Sequence, residues 1–189
     1  MAIQLEYRQF TIDDLDQMIT SGILAEDERV ELIKGQLITM SPPDILHAAC
    51  VDRLTKTLSR QVADDVLISV QNPIATHIHT QPEPDVFLLA PRADFYTKGR
   101  PTPSDVLLLI EVSDSSLQYD QETKLPLYAT ADIREVWIVN LPEQSIDCYS
   151  TPTAHGYRLR ERFFPGDTIH PDSMPAVTVD VQYILNPLA

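Results

Sequence analysis

A chain of 189 residues with 43% hydrophobic and 22% charged residues is long enough to bury a substantial core and too apolar for disorder. Its net charge of −14, from 28 acidic against 14 basic residues, keeps it dissolved but opposes general attraction to phosphate backbones, so a nucleic-acid contact requires local cations, a divalent metal or a basic partner. The opening MAIQLEYRQF lacks the basic-then-apolar pattern of a signal peptide, and no apolar run approaches the roughly 18–20 residues that span a bilayer. The expectation is a soluble cytoplasmic protein, one domain over residues 1–189, with no membrane association. Cys50 and Cys148 lie far apart and in no CxxC pair, which reads as two free, mostly buried thiols.

The first predicted element is a short helix capped by Thr11, with acidic residues in its first turn and Gly22 as its stop. RVELIKGQLITM follows with the form of a β-hairpin about Lys34-Gly35. Asp44 caps a second helix, whose apolar face carries His47, Val51, Leu54 and Leu58 and which runs to about Val62. Residues 66–76 read as a strand that Pro73 marks as an edge or bulge, and Pro82-Glu83-Pro84 leads into a strand from Asp85 to Leu89. Val106–Val112 is the strongest apolar run, which predicts a central strand buried on both faces. A helix over 117–131, kinked or started late by Pro126, precedes a hairpin of 134–141 with 145–151 and a strand over 156–164. Arg158, Arg160 and Arg162 alternate onto one face of that last strand.

Three residues stand out against this layout. Asp85 opens a strand directly after a proline, Glu111 is a charge near the end of the apolar strand, and Lys124 lies on the helix that follows. Two carboxylates on adjacent strands supply the hard oxygen ligands that Mg²⁺ or Mn²⁺ takes, with water and phosphate oxygens completing the shell. Such a metal polarises a phosphate and lowers the pKa of water, and a nearby ammonium stabilises charge developing on the phosphate.

PEPDVFLL, LLLIEVSDSS, YDQETKLPLYA and REVWIVNL, in this order and spacing, resemble the Uma-type family of restriction endonucleases within the PD-(D/E)XK nuclease superfamily. VELIKGQLITMSPP and LHAACVDRLTKTL extend the resemblance over nearly the whole chain. It implies an α/β restriction-endonuclease-like fold, a central mixed β-sheet flanked by helices, and divalent-metal-dependent cleavage of DNA. Asp85 matches the Asp of the PD element, and Glu111 the acidic position of (D/E)XK. Ser113 stands where the superfamily lysine would be, and Lys124 matches the lysine that the Uma-type variant draws from the following helix. Glu31 matches the acidic residue that superfamily members place on an N-terminal element, where it completes the metal site. A homodimer is expected, since double-strand cutting needs two sites and symmetry provides them.

Each feature also has a plainer reading. Glu111 and Lys124 suit a structural ion pair, Lys124 suits a surface pair with Asp120 at i, i+4, and His47 and Tyr128 suit packing. His77-x-His79 puts two imidazoles on one face, but no Cys or third ligand is near for zinc. The arginine stripe reads as a solvated face. Two rival functions carry over: a catalytically silent nuclease fold serving as a protein-interaction or DNA-binding module, with the acidic charge favouring a protein partner, and a metal-dependent phosphoesterase acting on another substrate.

Overall fold

The computed structural model describes residues 7–25, 27–64 and 66–185. Most of the opening decapeptide, read above for a leader, lies outside them. Helix α1 (Ile12–Thr20) carries a reciprocal cap, in which the Thr11 hydroxyl accepts from the Asp14 N–H and the Asp14 carboxylate accepts from the Thr11 N–H. Strands β1 (Val30–Ile33) and β2 (Gln36–Thr39) form the expected hairpin, with Lys34 at φ 50° and Gly35 at φ 77° making the tight turn. Helix α2 (Ile45–Ser59) starts from Asp44, whose carboxylate accepts the His47 N–H.

The remaining strands form one mixed six-stranded sheet in the order β3-β4-β5-β6-β7-β8. These are β3 (Leu67–Val70), β4 (Val86–Leu89), β5 (Val106–Ser113), β6 (Glu135–Asn140), β7 (Ser145–Thr153) and β8 (Gly156–Phe163). All pairings are antiparallel except β5 with β6. β5 is interior to the sheet, which explains its continuous apolar run: alternate residues bury into different layers. Val86, Leu88, Leu108, Ile110 and Val112 pack with the α2 face of Cys50, Val51, Leu54 and Leu58. Phe87, Leu89, Leu109, Val136 and Ile138 pack with Tyr128 on the other face. Glu111 therefore emerges into the Tyr128 layer.

Three expectations change. β3 is much shorter than residues 66–76, because Gln71 turns left-handed (φ 49°) and Pro73 cannot donate to a ladder. The helix after β5 is neither simply kinked nor late. It runs as α3 (Leu117–Tyr119), a π turn (Asp120–Lys124) and α4 (Leu125–Thr130), with the Leu125 N–H reaching back to the Asp120 carbonyl. Pro126 lacks an N–H and crowds the carbonyl four residues before it, which the wider turn relieves. The C-terminal stretch, read as short strand-like pieces, holds β9 (Thr168–Ile169) and β10 (Val179–Asp180) and then a helix, α5 (Val181–Leu185), that packs beside α2.

The arginine stripe lies on edge strand β8, and two of its members are tied within the sheet. Arg160 Nη2 is 3.0 Å from Asp147 Oδ2, while Arg162 reaches both Asp147 and Glu143 at 2.6 Å. Like charges along an edge also discourage strand addition. Cys50 and Cys148 are unpaired, and burial pushes the Cys50 thiol up to about 12. No helix among the described residues is long and apolar enough to cross a membrane.

Glu135, opening β6, accepts the Trp137 indole N–H at 2.7 Å and the Asp172 N–H at 2.8 Å. Burial pushes its carboxyl from an ordinary 4.5 up to about 7. The folded protein then holds this proton more tightly than the unfolded chain does. Stability from this group is intact below about pH 4.5 and declines as pH rises to about 7, by on the order of 1–3 kcal/mol. In Glu135→Gln that slope should be missing, so the melting-temperature gap to wild type changes steadily from pH 4.5 to 7. A gap that stays constant with pH would contradict the account.

Candidate active site

The two prolines around Glu83 hold the approach to β4 extended, so Asp85 arrives one step before the ladder begins. Continuing the register of Val86 opposite Ile110 by one residue puts Asp85 opposite Glu111. Asp85 Oδ2 accepts the Val112 N–H at 2.9 Å. Its Oδ1 accepts from His47 Nε2 at 2.8 Å and from Gln71 Nε2 at 3.2 Å. Burial by itself would raise the Asp85 pKa. The His47 hydrogen bond and charge, with the Val112 N–H, hold it below the ordinary value instead. His47 answers in kind: burial pulls its pKa down, but Asp85 carries it above the usual imidazole value.

Glu111, Lys124 and Glu31 meet in a buried triad. Lys124 Nζ lies 2.9 Å from Glu111 Oε1 and 2.9 Å from Glu31 Oε1, and all three residues are at most 3% exposed. Tyr128 Oη donates to Glu111 Oε1 at 2.5 Å, and the Glu83 N–H donates to Glu31 Oε1 at 2.8 Å. The Tyr119 hydroxyl lies 3.4 Å from Glu31 Oε2. Burial pushes Glu111 up to about 8 despite the ammonium, with Asp120, Asp85 and Glu31 adding to the rise. Burial pulls Lys124 the other way, but Glu111, Glu31 and Asp120 together hold it charged, well above the usual lysine value.

The π turn decides how Lys124 is used. On a regular helix it would face Asp120 at i, i+4. Here Asp120 accepts instead from the Ser113 and Ser116 hydroxyls, both at 2.7 Å. Ser113, in the place of the expected lysine, thus anchors the acid at the head of the turn that delivers Lys124.

Glu31, His47, Gln71, Asp85, Glu111 and Lys124 line one cavity of about 410 Å³, which also holds Arg29, Asp44, Glu83 and Asp114. Its chemistry suits a hard cation: Glu31, Asp85, Glu111 and Asp120 gather around one ammonium. Also among the described residues, no three of His, Cys, Asp and Glu are spaced as a ready-made metal cage. That combination fits Mg²⁺ or Mn²⁺, which are held by one or two carboxylates with water and substrate oxygens, better than a closed zinc site. At His77-x-His79 the imidazoles are 5.8 Å apart, and His79 Nδ1 is 2.8 Å from the Phe10 carbonyl.

Asp85, Glu111, Lys124 and Glu31 are therefore brought together, although Glu31 lies on a separate hairpin. Glu31 is buried because the Leu32–Gln81 bridge presses β1 against the segment leading to β4. His47, Gln71, Asp120 and Tyr128 join the site without having been assigned to it. His47, a lone imidazole on an apolar face just after a cap, and Tyr128, one helical turn after Lys124, gave a signal in the sequence; Gln71 gave none.

The six-stranded mixed sheet with helices on its faces is an α/β architecture, with an acid–lysine cluster at one end of β5. It superposes on the crystal structure of "a putative nuclease belonging to DUF820" from Anabaena variabilis ATCC 29413 with a TM-score of 0.72, at 16% identity over 95% of this chain and 99% of that one. The family model described as "Uma2: Putative restriction endonuclease" matches residues 12–182, and the chain belongs to that family. No curated protein matches the sequence.

Proposed function

We propose that this one-domain chain is a divalent-metal-dependent endonuclease that hydrolyses phosphodiester bonds in DNA, and that it works as a homodimer. The observation that carries the reading is the buried Glu31–Lys124–Glu111 triad beside Asp85, in a cavity whose carboxylates outnumber its cations. Its family and fold support the same class of activity.

Asp85 and Glu111 would hold Mg²⁺ or Mn²⁺, with Glu31 Oε2 as the third carboxylate oxygen. When bound, the metal supplies Lewis-acid polarisation of the phosphate and a lowered water pKa. Lys124, kept charged by its acidic neighbours, faces the developing negative charge on phosphate from a fixed position. Tyr128 holds Glu111 in place by its hydrogen bond, and the Glu83 N–H does the same for Glu31.

The deciding experiment is cleavage of supercoiled plasmid with Mg²⁺ or Mn²⁺ by wild type, Asp85→Ala and Glu111→Ala. Wild type should nick or linearise the plasmid, and both variants should lose at least about a hundredfold in rate. The acidic lining opposes a polyanion more than a small phosphate ester or a protein partner, which makes these the second reading. Wild type that is inert on DNA but hydrolyses small phosphoesters would select the phosphoesterase. Wild type inert on every substrate would select the interaction module.

A further inference from the structure

We infer that His47 and Gln71 form a positioning clamp on Asp85 that leaves this carboxylate a single oxygen lone pair for a divalent cation. The inference rests on the metal-site reading above and assigns work to two residues outside the acid–lysine set. A carboxylate oxygen accepts two hydrogen bonds. Oδ1 of Asp85 is filled, by His47 Nε2 at 2.8 Å and Gln71 Nε2 at 3.2 Å. Among the described residues Oδ2 accepts only the Val112 N–H at 2.9 Å, so one direction stays open.

The two clamp residues come from different elements. His47 lies in the first turn of α2, where Asp44 accepts its backbone N–H at 2.9 Å. Gln71 ends the short edge strand in a left-handed conformation at φ 49°, sparsely populated for any residue with a side chain. Its backbone N–H donates to the Asp85 carbonyl at 3.1 Å while its side chain reaches the Asp85 carboxylate. Main chain and side chain of one strained residue thus hold the same partner. An imidazole meeting a carboxylate through Nε2 must donate from that atom, which fixes the proton there. His47 and Gln71 also line the cavity, so the clamp forms its wall.

Partners that orient a ligating carboxylate are worth about 10–100-fold in metal affinity. The clamp is a positioning device, and the donor atom matters rather than the ring. Glutamine places an amide nitrogen near the position of imidazole Nε2.

The test is Mn²⁺ binding to the full chain by titration calorimetry and electron paramagnetic resonance, with thermal melting as a check on folding. Wild type should bind Mn²⁺, His47→Ala should bind it about 10–100-fold more weakly, and His47→Gln should recover most of the loss. Gln71→Ala should weaken binding in the same direction, which covers the case in which His47→Ala does not fold. Equal Mn²⁺ affinity in wild type, His47→Ala and Gln71→Ala would overturn the clamp while leaving the metal site standing. Equal loss in His47→Gln and His47→Ala would overturn the donor role. Wild type that binds no Mn²⁺ would overturn the metal-site reading and the clamp with it. Wild type that binds Mn²⁺ yet cleaves no DNA would remove the nuclease alone, since the clamp is read from affinity.

Discussion

Lys124→Met should remove the proposed DNA cleavage by at least about a thousandfold and destabilise the fold by on the order of 3–5 kcal/mol. Both losses trace to one ammonium. Lys124 Nζ is the shared partner of Glu111 Oε1 and Glu31 Oε1, each at 2.9 Å, inside the protein. Buried carboxyls left without their cation lose far more than a surface pair would, because each must stay charged without hydration or take up a proton. A double-mutant cycle separates this effect from catalysis. Glu31→Gln combined with Lys124→Met should regain a large part of the lost stability, because one of the stranded charges is gone, while cleavage stays lost. Denaturant melts of the four proteins at pH 7 provide the check. Additive stabilities would mean that the triad is not coupled, and full cleavage by Lys124→Met would remove the lysine from the mechanism.

Glu111→Gln should also abolish cleavage, yet its effect on stability should be pH-dependent and opposite in character to that of Lys124→Met. Burial pushes the Glu111 carboxyl from 4.5 up to about 8. The folded state therefore binds this proton when the unfolded chain has already released it. No penalty exists below about pH 4.5, where both forms are protonated. The penalty grows as pH rises to about 8, reaching on the order of 3–5 kcal/mol when both forms are ionised. Glutamine carries no such penalty, and its carbonyl oxygen can still accept the Tyr128 hydroxyl bond. Thermal melts in a chelating buffer should show Glu111→Gln gaining on wild type as pH rises from 5 to 8. If the variant is equally displaced from wild type at both ends of that range, Glu111 does not carry the burden assigned to it. Stability gained where activity is lost is the mark of a group retained for chemistry.

The local elements were largely legible because their signals are local. Thr11 and Asp44 cap helices through side-chain oxygens that the chain order places in reach. Lys34-Gly35 turns a hairpin because glycine takes a positive φ without strain. The run Val106–Val112 had to be an interior strand, since nothing else buries alternate apolar residues into two layers. The PEPD, LLLIEVSDSS and YDQETKLPLYA elements, read through the resemblance, pointed to Asp85, Glu111 and Lys124 in turn.

The long-range geometry was not legible, for a physical reason: a side chain's partners are set by packing between distant segments, which no local periodicity encodes. Sequence by itself determined the class of sheet and its central strand, and it singled out Asp85, Glu111 and Lys124 as candidates. Only the tertiary structure decided that Glu31 is buried against Lys124, that a π turn takes Lys124 away from Asp120, and that His47 and Gln71 close on one oxygen of Asp85. Desolvation and hydrogen-bond satisfaction act on the folded arrangement, and there they turn ordinary carboxylates, an imidazole and an ammonium into one coupled site.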